Sequence, residues 1–204
     1  MATRDRIIEA AEVLFAVNGY DGTSLRDITE QAGVNVAAVN YHFGSKENLL
    51  ADLLDRIISP INEERLELLA ARADDDIDSV LRAFLLPDLH ALEKLAGRNP
   101  DLPRFVSRMY SENSPLMHRV IGAQFAEVGE RFGAAFAASL PGHDETEISF
   151  RLSCVVAIVV YLFAGVQAPG MAQLTTGSTE QDLARLLSVT RSIMTAAIEE
   201  VATV

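Results

Sequence analysis

The chain of 204 residues is poor in several residue types that many proteins use for function. It has no tryptophan, aromatic residues make up only 6%, and Cys154 is the single cysteine. One cysteine cannot form an internal disulfide, so the cytoplasm is favoured over secretion. The scarcity of aromatic side chains argues against a stacking platform for single-stranded nucleic acid.

Long apolar runs are also missing. Charges interrupt residues 1–12, so no secretory signal is expected there. The most apolar stretch, residues 152–166, follows Arg151 closely and is shorter than the roughly 20 residues that a membrane span needs. We therefore expect a helix buried in protein and no membrane partner.

Motifs for catalysis and metal binding do not occur. There is no GxxxxGK[ST], GxGxxG or HExxH pattern and no Cys/His spacing of a metal site. His90 and Glu93 lie one helical turn apart and could ligate a metal, but no third ligand is evident nearby. We predict a protein that is not an enzyme and that has no catalytic residues, metal or cofactor.

Basic residues are few, with 17 Lys and Arg against 29 Asp and Glu and a net charge of -12. Such a charge disfavours nucleic-acid binding unless the basic residues are placed locally. In residues 1–50 the basic residues are Arg4, Arg6, Arg26 and Lys46. An acidic body should suppress non-specific DNA binding, so any DNA binding should need a specific site and a dimer.

What the sequence does contain is helical periodicity along nearly its whole length, with no alternating strand pattern. Pro60 and Pro87 interrupt two long helical segments, and each should kink or split its helix. A Gly/Pro/Thr-rich loop over residues 167–178 separates the last two helices. The predicted fold class is all-α.

A pair of short helices near the N-terminus has the pattern of a helix-turn-helix. Thr23 and Ser24 can cap the first helix, and Gly33 can end it. Asn35 can cap the second helix, which should run over residues 36–43. In this motif the second helix, called the recognition helix, lies in the major groove of DNA.

The composition of the recognition helix favours DNA over an ordinary helical bundle. Small Ala37 lets the helix approach base edges, and the amide of Asn40 can pair with adenine. An ordinary bundle helix, the alternative, would carry larger apolar residues. The candidate contacts to bases and phosphates are Thr23, Ser24, Arg26, Asn35, Val36, Ala37, Asn40, Tyr41, His42 and Lys46.

Residues 3–50 resemble the DNA-binding domain of TetR/AcrR-type transcriptional regulators. The resemblance is carried by RIIEAAEVLFAVNGYDGTSLRDI and by AGVNVAAVNYHFGSKENLL. Asn40 departs from the tyrosine that is usual in the family, and the NYHFGSK ending resembles a PsrA-like and CecR-like subgroup. The resemblance implies a three-helix helix-turn-helix domain over residues 1–46 and a C-terminal helical ligand-binding and dimerisation domain over residues 47–204.

The same resemblance implies a ligand pocket in the middle of the chain. Apolar side chains from three successive predicted helices could line it, with plain core as the alternative. Because these faces carry few charges, the ligand would be apolar or amphipathic, held by one polar anchor. The candidate lining residues are Phe84, His90, Phe105, Arg108, Met109, Tyr110, Met117, His118, Ile121 and Phe125.

The last two predicted helices carry a long seam of small and apolar residues. This seam exceeds what one neighbouring helix covers and suits a four-helix bundle made by two copies of the chain. Burial within one chain is the alternative. The candidate interface residues are Ala157, Tyr161, Leu186, Thr190, Ile193 and Ala197.

These features predict a ligand-responsive transcriptional regulator that acts as a homodimer on a double-stranded DNA operator. We expect a repressor that an apolar or amphipathic small molecule releases from the operator, coupled through the helix that begins near Ser45. The alternative is a helical small-molecule binding protein or enzyme with a vestigial helix-turn-helix.

Overall fold

The structure of the protein is a computed structural model that describes residues 2–112, 114–165 and 175–196. In these residues the chain forms helices and no strand, which confirms the all-α prediction. The helices are α1 (Thr3–Asn18), α2 (Leu25–Ala32), α3 (Val36–Phe43), α4 (Lys46–Ala70), α5 (Ile77–Arg98), α6 (Leu102–Ser111), α7 (Pro115–Ser139), α8 (Glu145–Ala164) and α9 (Thr179–Thr195).

Side-chain caps explain where most of these helices begin. The Ser24 hydroxyl accepts a hydrogen bond from the Asp27 amide, and the Asp27 carboxylate accepts one from the Ser24 amide, which together form a capping box. Each cap satisfies a backbone N–H that the first helical turn leaves free. The side chains that cap α3, α4, α5, α7, α8 and α9 are Asn35, Ser45, Asp76, Ser114, Asp144 and Ser178.

Neither interior proline splits its helix. Pro60 lies within α4 and Pro87 within α5, and both helices run on past them. Ile58 before Pro60 and Asn62 after it are both buried. Tertiary packing on both sides therefore compensates for the backbone hydrogen bond that proline removes, and the predicted split does not occur.

Two apolar clusters form the core. The first joins α1, α2 and α3 to the first part of α4, to α6 and to one end each of α5, α7 and α8, with Phe15, Val39 and Leu53 at its centre. The second joins the end of α4 to α5, α7, α8 and α9 around Phe132 and Leu183. Because the first cluster continues from α3 into α4, no gap in packing marks the predicted division after residue 46, which stays a prediction.

Candidate DNA and ligand sites

α2 and α3 form a tight helical pair. α2 ends at Gly33, whose φ of 62° lies in the left-handed region. The Arg6 guanidinium of α1 donates to the carbonyl oxygens of Ala32 and Gly33, the latter at 3.0 Å. A Cβ atom at Gly33 would lie 2.8 Å from Arg6 Nη2, so both the backbone angle and this contact favour glycine. The turn is thereby fixed to α1.

α3 has one buried face and one exposed face. Val39 and Phe43 are buried in the first core cluster, whereas Ala37, Asn40 and Tyr41 are exposed. The Tyr41 side chain is 85% exposed, which leaves its hydroxyl free to donate to a phosphate oxygen. The residues predicted to contact DNA from α3 therefore lie together on its solvent face, apart from His42, which is half-buried against Tyr41.

Thr23 is placed differently from the prediction. It is only 1% exposed, and its hydroxyl donates to the Gly19 carbonyl at 2.9 Å. This side chain holds the turn between α1 and α2 and is not available to DNA. The exposed Ser24 lies next to it, but its hydroxyl is engaged in the capping box.

Basic groups stand on both sides of α3. Arg26 is exposed on α2, and Lys46 begins α4. The Lys46 Nζ lies 4.1 Å from the centre of the Tyr20 ring, within cation–π range. Partial burial lowers the pKa of Lys46, and the nearby Asp21 carboxylate opposes that shift. The two cations are therefore placed locally on an otherwise acidic chain.

A cavity of about 280 Å³ lies between α4, α5, α6, α7 and α8. This volume is close to the lower end of the range for ligand pockets, roughly 300–1,000 Å³. Its wall is mostly aliphatic and aromatic, and its polar lining residues are Arg65, Asp88, Ser107 and Tyr110. The cavity is thus a nearly apolar space with a small polar region.

The structure brings only part of the predicted lining to this cavity. Four of the predicted residues line it, namely Phe84, Tyr110, Ile121 and Phe125. Three others are buried in the first core cluster, namely Phe105, Met109 and Met117. The remaining three are exposed on the outer surface, namely His90, Arg108 and His118.

Three of these six corrections, Phe105, Arg108 and Met109, lie on α6. The buried residues of α6 divide between the first core cluster and the cavity wall. The helical period shows which residues are buried but not which of the two places they face. His90 does not line the cavity, and its Nδ1 lies 2.7 Å from Glu64 Oε1 in an exposed pair. The polar anchors of the cavity are therefore not the predicted histidines or Arg108.

α8 also lines the cavity, which the sequence pattern did not predict. Its lining residues recur at three- and four-residue spacing, and they are Leu152, Val156, Val159, Val160 and Phe163. The seam residues Ala157 and Tyr161 lie on another face of the same helix and are exposed. A helix that is apolar on two faces has to serve two contacts, and this signal was present in the sequence.

A buried polar network joins α4, α5 and α7 beside the cavity. The Arg65 guanidinium donates to the Asp88 carboxylate, to Asn62 Oδ1 at 2.7 Å and to the Phe84 carbonyl at 3.1 Å. Asn62 in turn donates to the Gln124 carbonyl at 2.7 Å. Burial raises the pKa of the Asp88 carboxyl, and the Arg65 charge opposes that shift. The network fixes how these helices meet at the cavity wall.

An apolar seam runs along the outer faces of α8 and α9. Phe150 is 66% exposed and Val189 is 53% exposed, while Leu186 and Ile193 are half-buried. Thr190 is fully buried inside its own protomer and donates to the Leu186 carbonyl at 2.7 Å, so its predicted place in the interface is corrected. Ala197 lies outside the described residues.

α8 is also long and apolar enough to cross a membrane by length and composition, and 33% of that apolar stretch is buried inside the chain. We expected a helix buried in protein, but this protomer buries only one side of α8. One such helix is weak evidence for a span, because a core helix of a soluble protein passes the same test.

Two family models match the chain. Residues 7–53 match the model described as bacterial regulatory proteins, tetR family, and residues 82–197, more than half of the chain, match the Tetracyclin repressor-like C-terminal domain. The chain belongs to the TetR family. This membership confirms the resemblance seen in residues 3–50 and extends it to most of α5 and to α6, α7 and α8, four of the five helices that enclose the cavity.

Curated relatives of this TetR-family chain are transcriptional regulators. YttP of Bacillus subtilis, a probable HTH-type transcriptional regulator, is 30% identical over 121 residues, covering 59% of this chain and 56% of YttP. The HTH-type dual regulator CecR of Shigella flexneri is 31% identical over 126 residues, covering 57% of this chain and 55% of CecR. The chain thus matches about half the length of these curated relatives.

Solved structures share the fold of this TetR-family protein. AibR in complex with isovaleryl coenzyme A and operator DNA has a TM-score of 0.66 at 17% identity, covering 92% of this chain and 97% of AibR. At this identity the likeness establishes the arrangement of helices alone.

Proposed function

We propose that this TetR-family protein is a homodimeric transcriptional regulator that binds a double-stranded DNA operator. A small apolar or amphipathic effector releases it, so that it acts as a repressor. The observation that carries the proposal is the exposed face of α3, where Ala37, Asn40 and Tyr41 stand free above a buried apolar face. The protein works in the cytoplasm without a membrane partner, cofactor or metal, and it is not an enzyme.

The placement of charge supports specific DNA binding by an acidic protein. Arg26 and Lys46 flank α3, and the capped first turns of α2 and α4 present backbone N–H groups and a positive dipole end. The rest of the chain carries the excess of acidic residues and repels DNA. Binding therefore depends on contacts at α3 and on the simultaneous binding of both protomers of the dimer.

The seam on α8 and α9 supports a two-fold dimer. Exposed apolar residues on both helices, such as Phe150, Tyr161 and Val189, are typical of an interaction site, and in a two-fold dimer the same seam of each copy would pack against the other. Dimerisation places two recognition helices on one DNA face, as a two-fold operator requires. It also covers the outer apolar face of α8 with protein.

Coupling between effector and DNA is assigned to α4. This helix begins at Lys46 beside α3 and carries Arg65 at the cavity wall. An effector that binds two positions of α4 with different affinity shifts the population between a DNA-binding and a released geometry. The similarity to the regulators YttP and CecR, and to AibR, whose structure holds both a ligand and operator DNA, supports this scheme.

Selection of binding sites from a random duplex library tests the proposal. We expect enriched two-fold symmetric sites, and gel shifts on them should be lost in Ala37→Glu, which places a negative charge against base edges. The matched control is Ala70→Glu, which makes the same change at the exposed last residue of α4, at the end of that helix away from α3. Failure to enrich any duplex would favour the alternative of a binding protein or enzyme with a vestigial helix-turn-helix.

A further inference from the structure

Three glycines lie inside α7, where glycine is the least favourable residue other than proline. They are Gly122, Gly129 and Gly133. None has a positive φ, so backbone conformation does not require them. Apart from its chain neighbours and the backbone of α7 itself, a Cβ atom added at any of the three would meet no atom of the described residues within 4 Å, so close packing does not require them either. What these positions supply is unfilled space.

Two of these glycines open onto the cavity. Gly122 and Gly129 both line it, whereas Gly133 does not, and both are exposed to solvent. They are seven residues apart, which places them on one face of α7 about 10 Å from each other. Because they are at once exposed and cavity-lining, they form a mouth through which the cavity reaches solvent.

The two charged residues that line the cavity, Arg65 and Asp88, balance each other. Arg65 and Asp88 are paired with each other, and two further Arg65 N–H groups bond Asn62 and the Phe84 carbonyl. Among the described residues the second, buried carboxylate oxygen, Asp88 Oδ2, has no hydrogen-bond partner and can accept from a neutral donor. A ligand carboxylate would meet the Asp88 charge without a cation of its own. A ligand ammonium could donate to Asp88 Oδ2, but its charge would be unbalanced, because Arg65 already neutralises Asp88. Burying an unpaired charge in this way is strongly unfavourable.

Neutral hydrogen-bonding groups are present instead. Ser107 and Tyr110 lie one turn apart on α6 and both line the cavity. Among the residues that the structure describes, no hydrogen-bond partner is found for the Tyr110 hydroxyl. Burial raises the pKa of Tyr110, so the phenol stays protonated and can both donate and accept.

The rest of the wall suits a ligand with rings. Tyr110 and Phe125 meet at 5.6 Å between ring centres, and Phe84 and Phe132 at 5.2 Å, both edge to face. The cavity of about 280 Å³ is about twice the roughly 150 Å³ of an engineered cavity that binds benzene. It therefore takes a molecule of about a dozen non-hydrogen atoms.

The geometry points to an uncharged, mainly aromatic effector with one hydroxyl or carbonyl group, which enters past Gly122 and Gly129 and is held by the hydroxyls of Ser107 and Tyr110. This inference rests on the proposed ligand-responsive function and names the class of its ligand. It excludes fatty acids and other carboxylates, as well as cationic amines, from this cavity.

Three biphenyl probes that differ only in one group test the charge rule. They are 4-phenylphenol, biphenyl-4-carboxylate and the cationic biphenyl-4-methylamine, each titrated calorimetrically into the full chain at neutral pH. The phenol should bind at least about a hundredfold more tightly than either ion, because only the ions bury an unpaired charge. Equal or tighter binding of the carboxylate or the amine, or no binding of the phenol, would overturn the inference.

Matched glycine variants test the mouth. Gly129→Leu should weaken phenol binding by about tenfold or more, because its side chain fills space the ligand needs. Gly133→Leu makes the same change four residues on, outside the cavity, and should change binding by less than about twofold. Both variants gain helix propensity, so a fold defect does not explain a difference between them. Equal effects of the two would contradict the assignment.

Tyr110→Phe removes only the hydroxyl and should weaken phenol binding about five- to tenfold, with no effect on unsubstituted biphenyl. Gel shifts without any probe are recorded on every variant. Loss of DNA binding with intact phenol binding would count against the regulator and leave the ligand class standing. Intact DNA binding, together with a carboxylate or amine probe that binds as tightly as the phenol, would count against the ligand class alone.

Discussion

The ammonium group of Lys46 lies 4.1 Å from the centre of the Tyr20 ring. Tyr20 belongs to the turn after α1, and Lys46 is the first residue of α4, so the contact joins two elements next to α3. The ring face occupies one side of the ammonium and leaves donors for a phosphate. A cation positioned before DNA arrives loses less side-chain entropy on binding.

Lys46→Ala should weaken binding to operator and to unrelated duplex alike, because a phosphate contact carries no sequence information. The slope of log affinity against log salt should fall by roughly 0.9 for one lost charge. Fluorescence anisotropy at several salt concentrations measures both. Lys94→Ala removes the only other lysine, which is exposed on α5, and should leave the slope alone. An unchanged slope in Lys46→Ala would show that Lys46 does not contact DNA.

Asn40→Ala should relax discrimination at one position in each half-site, by about 1–3 kcal/mol, because an amide pairs with adenine at two points. Binding-site selection on variant and parent gives the two sequence logos. Asn18→Ala, at the exposed end of α1, is the matched control. Identical logos with reduced affinity would assign Asn40 to the DNA backbone and remove its role in base recognition.

Phe150→Asp and Val189→Asp should each convert the dimer to a monomer, because an unpaired charge in a dry interface costs several kcal/mol. These positions are cleaner than Ile193, which also packs against the core of its own protomer. Light scattering measures the mass, and gel shifts should show that the monomer no longer holds the operator. Val17→Asp adds the same charge at an exposed apolar residue of α1 and should stay dimeric. A dimeric Phe150→Asp would refute the interface.

Acid should unfold the protein partly through Asp27. Hydrogen bonds from the Ser24 side chain and backbone lower the pKa of the Asp27 carboxyl below its ordinary value of 3.8. The folded state therefore favours the ionised form, and this stabilisation is present above pH 3.8 and lost as the pH falls through the lowered pKa. Between about pH 5 and pH 2 the melting temperature of Asp27→Asn should fall less than that of the parent. The control Glu30→Gln removes another carboxylate of α2, and its melting temperature should fall with pH as that of the parent does. If the melting temperature of Asp27→Asn fell as steeply as that of the parent, the capping box would not contribute to the loss of stability in acid.

Asp88→Ala should destabilise the fold by about 3–5 kcal/mol, because it leaves the Arg65 charge buried without a partner. Urea unfolding measures the loss. The double variant Arg65→Leu/Asp88→Leu removes both charges and should recover most of the free energy of unfolding, since apolar pairs often replace buried ion pairs without loss. A double variant as unstable as Asp88→Ala would show that packing, rather than the unpaired charge, causes the effect.

Local signals predicted the helix-turn-helix well. The Ser24 cap, the left-handed Gly33 and the Asn35 cap are each set by residues close in sequence, and the structure has α2 and α3 where these signals place them. The sequence pattern predicts a DNA contact for Thr23 because helix caps and phosphate donors share residue types. Its burial depends on the Gly19 carbonyl, and a sequence pattern does not contain that contact.

The cavity was harder to predict because its wall is assembled from five helices. Periodicity shows that Met109 and Tyr110 lie on the apolar side of α6, but which of them faces a core cluster and which faces a void depends on the neighbouring helices. The polar region was missed because Arg65 and Asp88 are distant in sequence and each resembles a solvated helix residue. Their burial follows from their pairing, which only the fold creates.

Because α4 continues past Pro60, a change in its tilt at the cavity displaces its other end beside α3. Lys46 and Arg65 are 19 residues apart in this helix, a distance of about 28 Å along its axis. A tilt of about 7° at the cavity end would carry the other end through about 3.4 Å, the rise of one base step along a DNA strand. A two-fold partner would tilt in the opposite sense. A movement of α4 beside the ligand that is smaller than one side chain would thus shift both recognition helices out of register with the major groove.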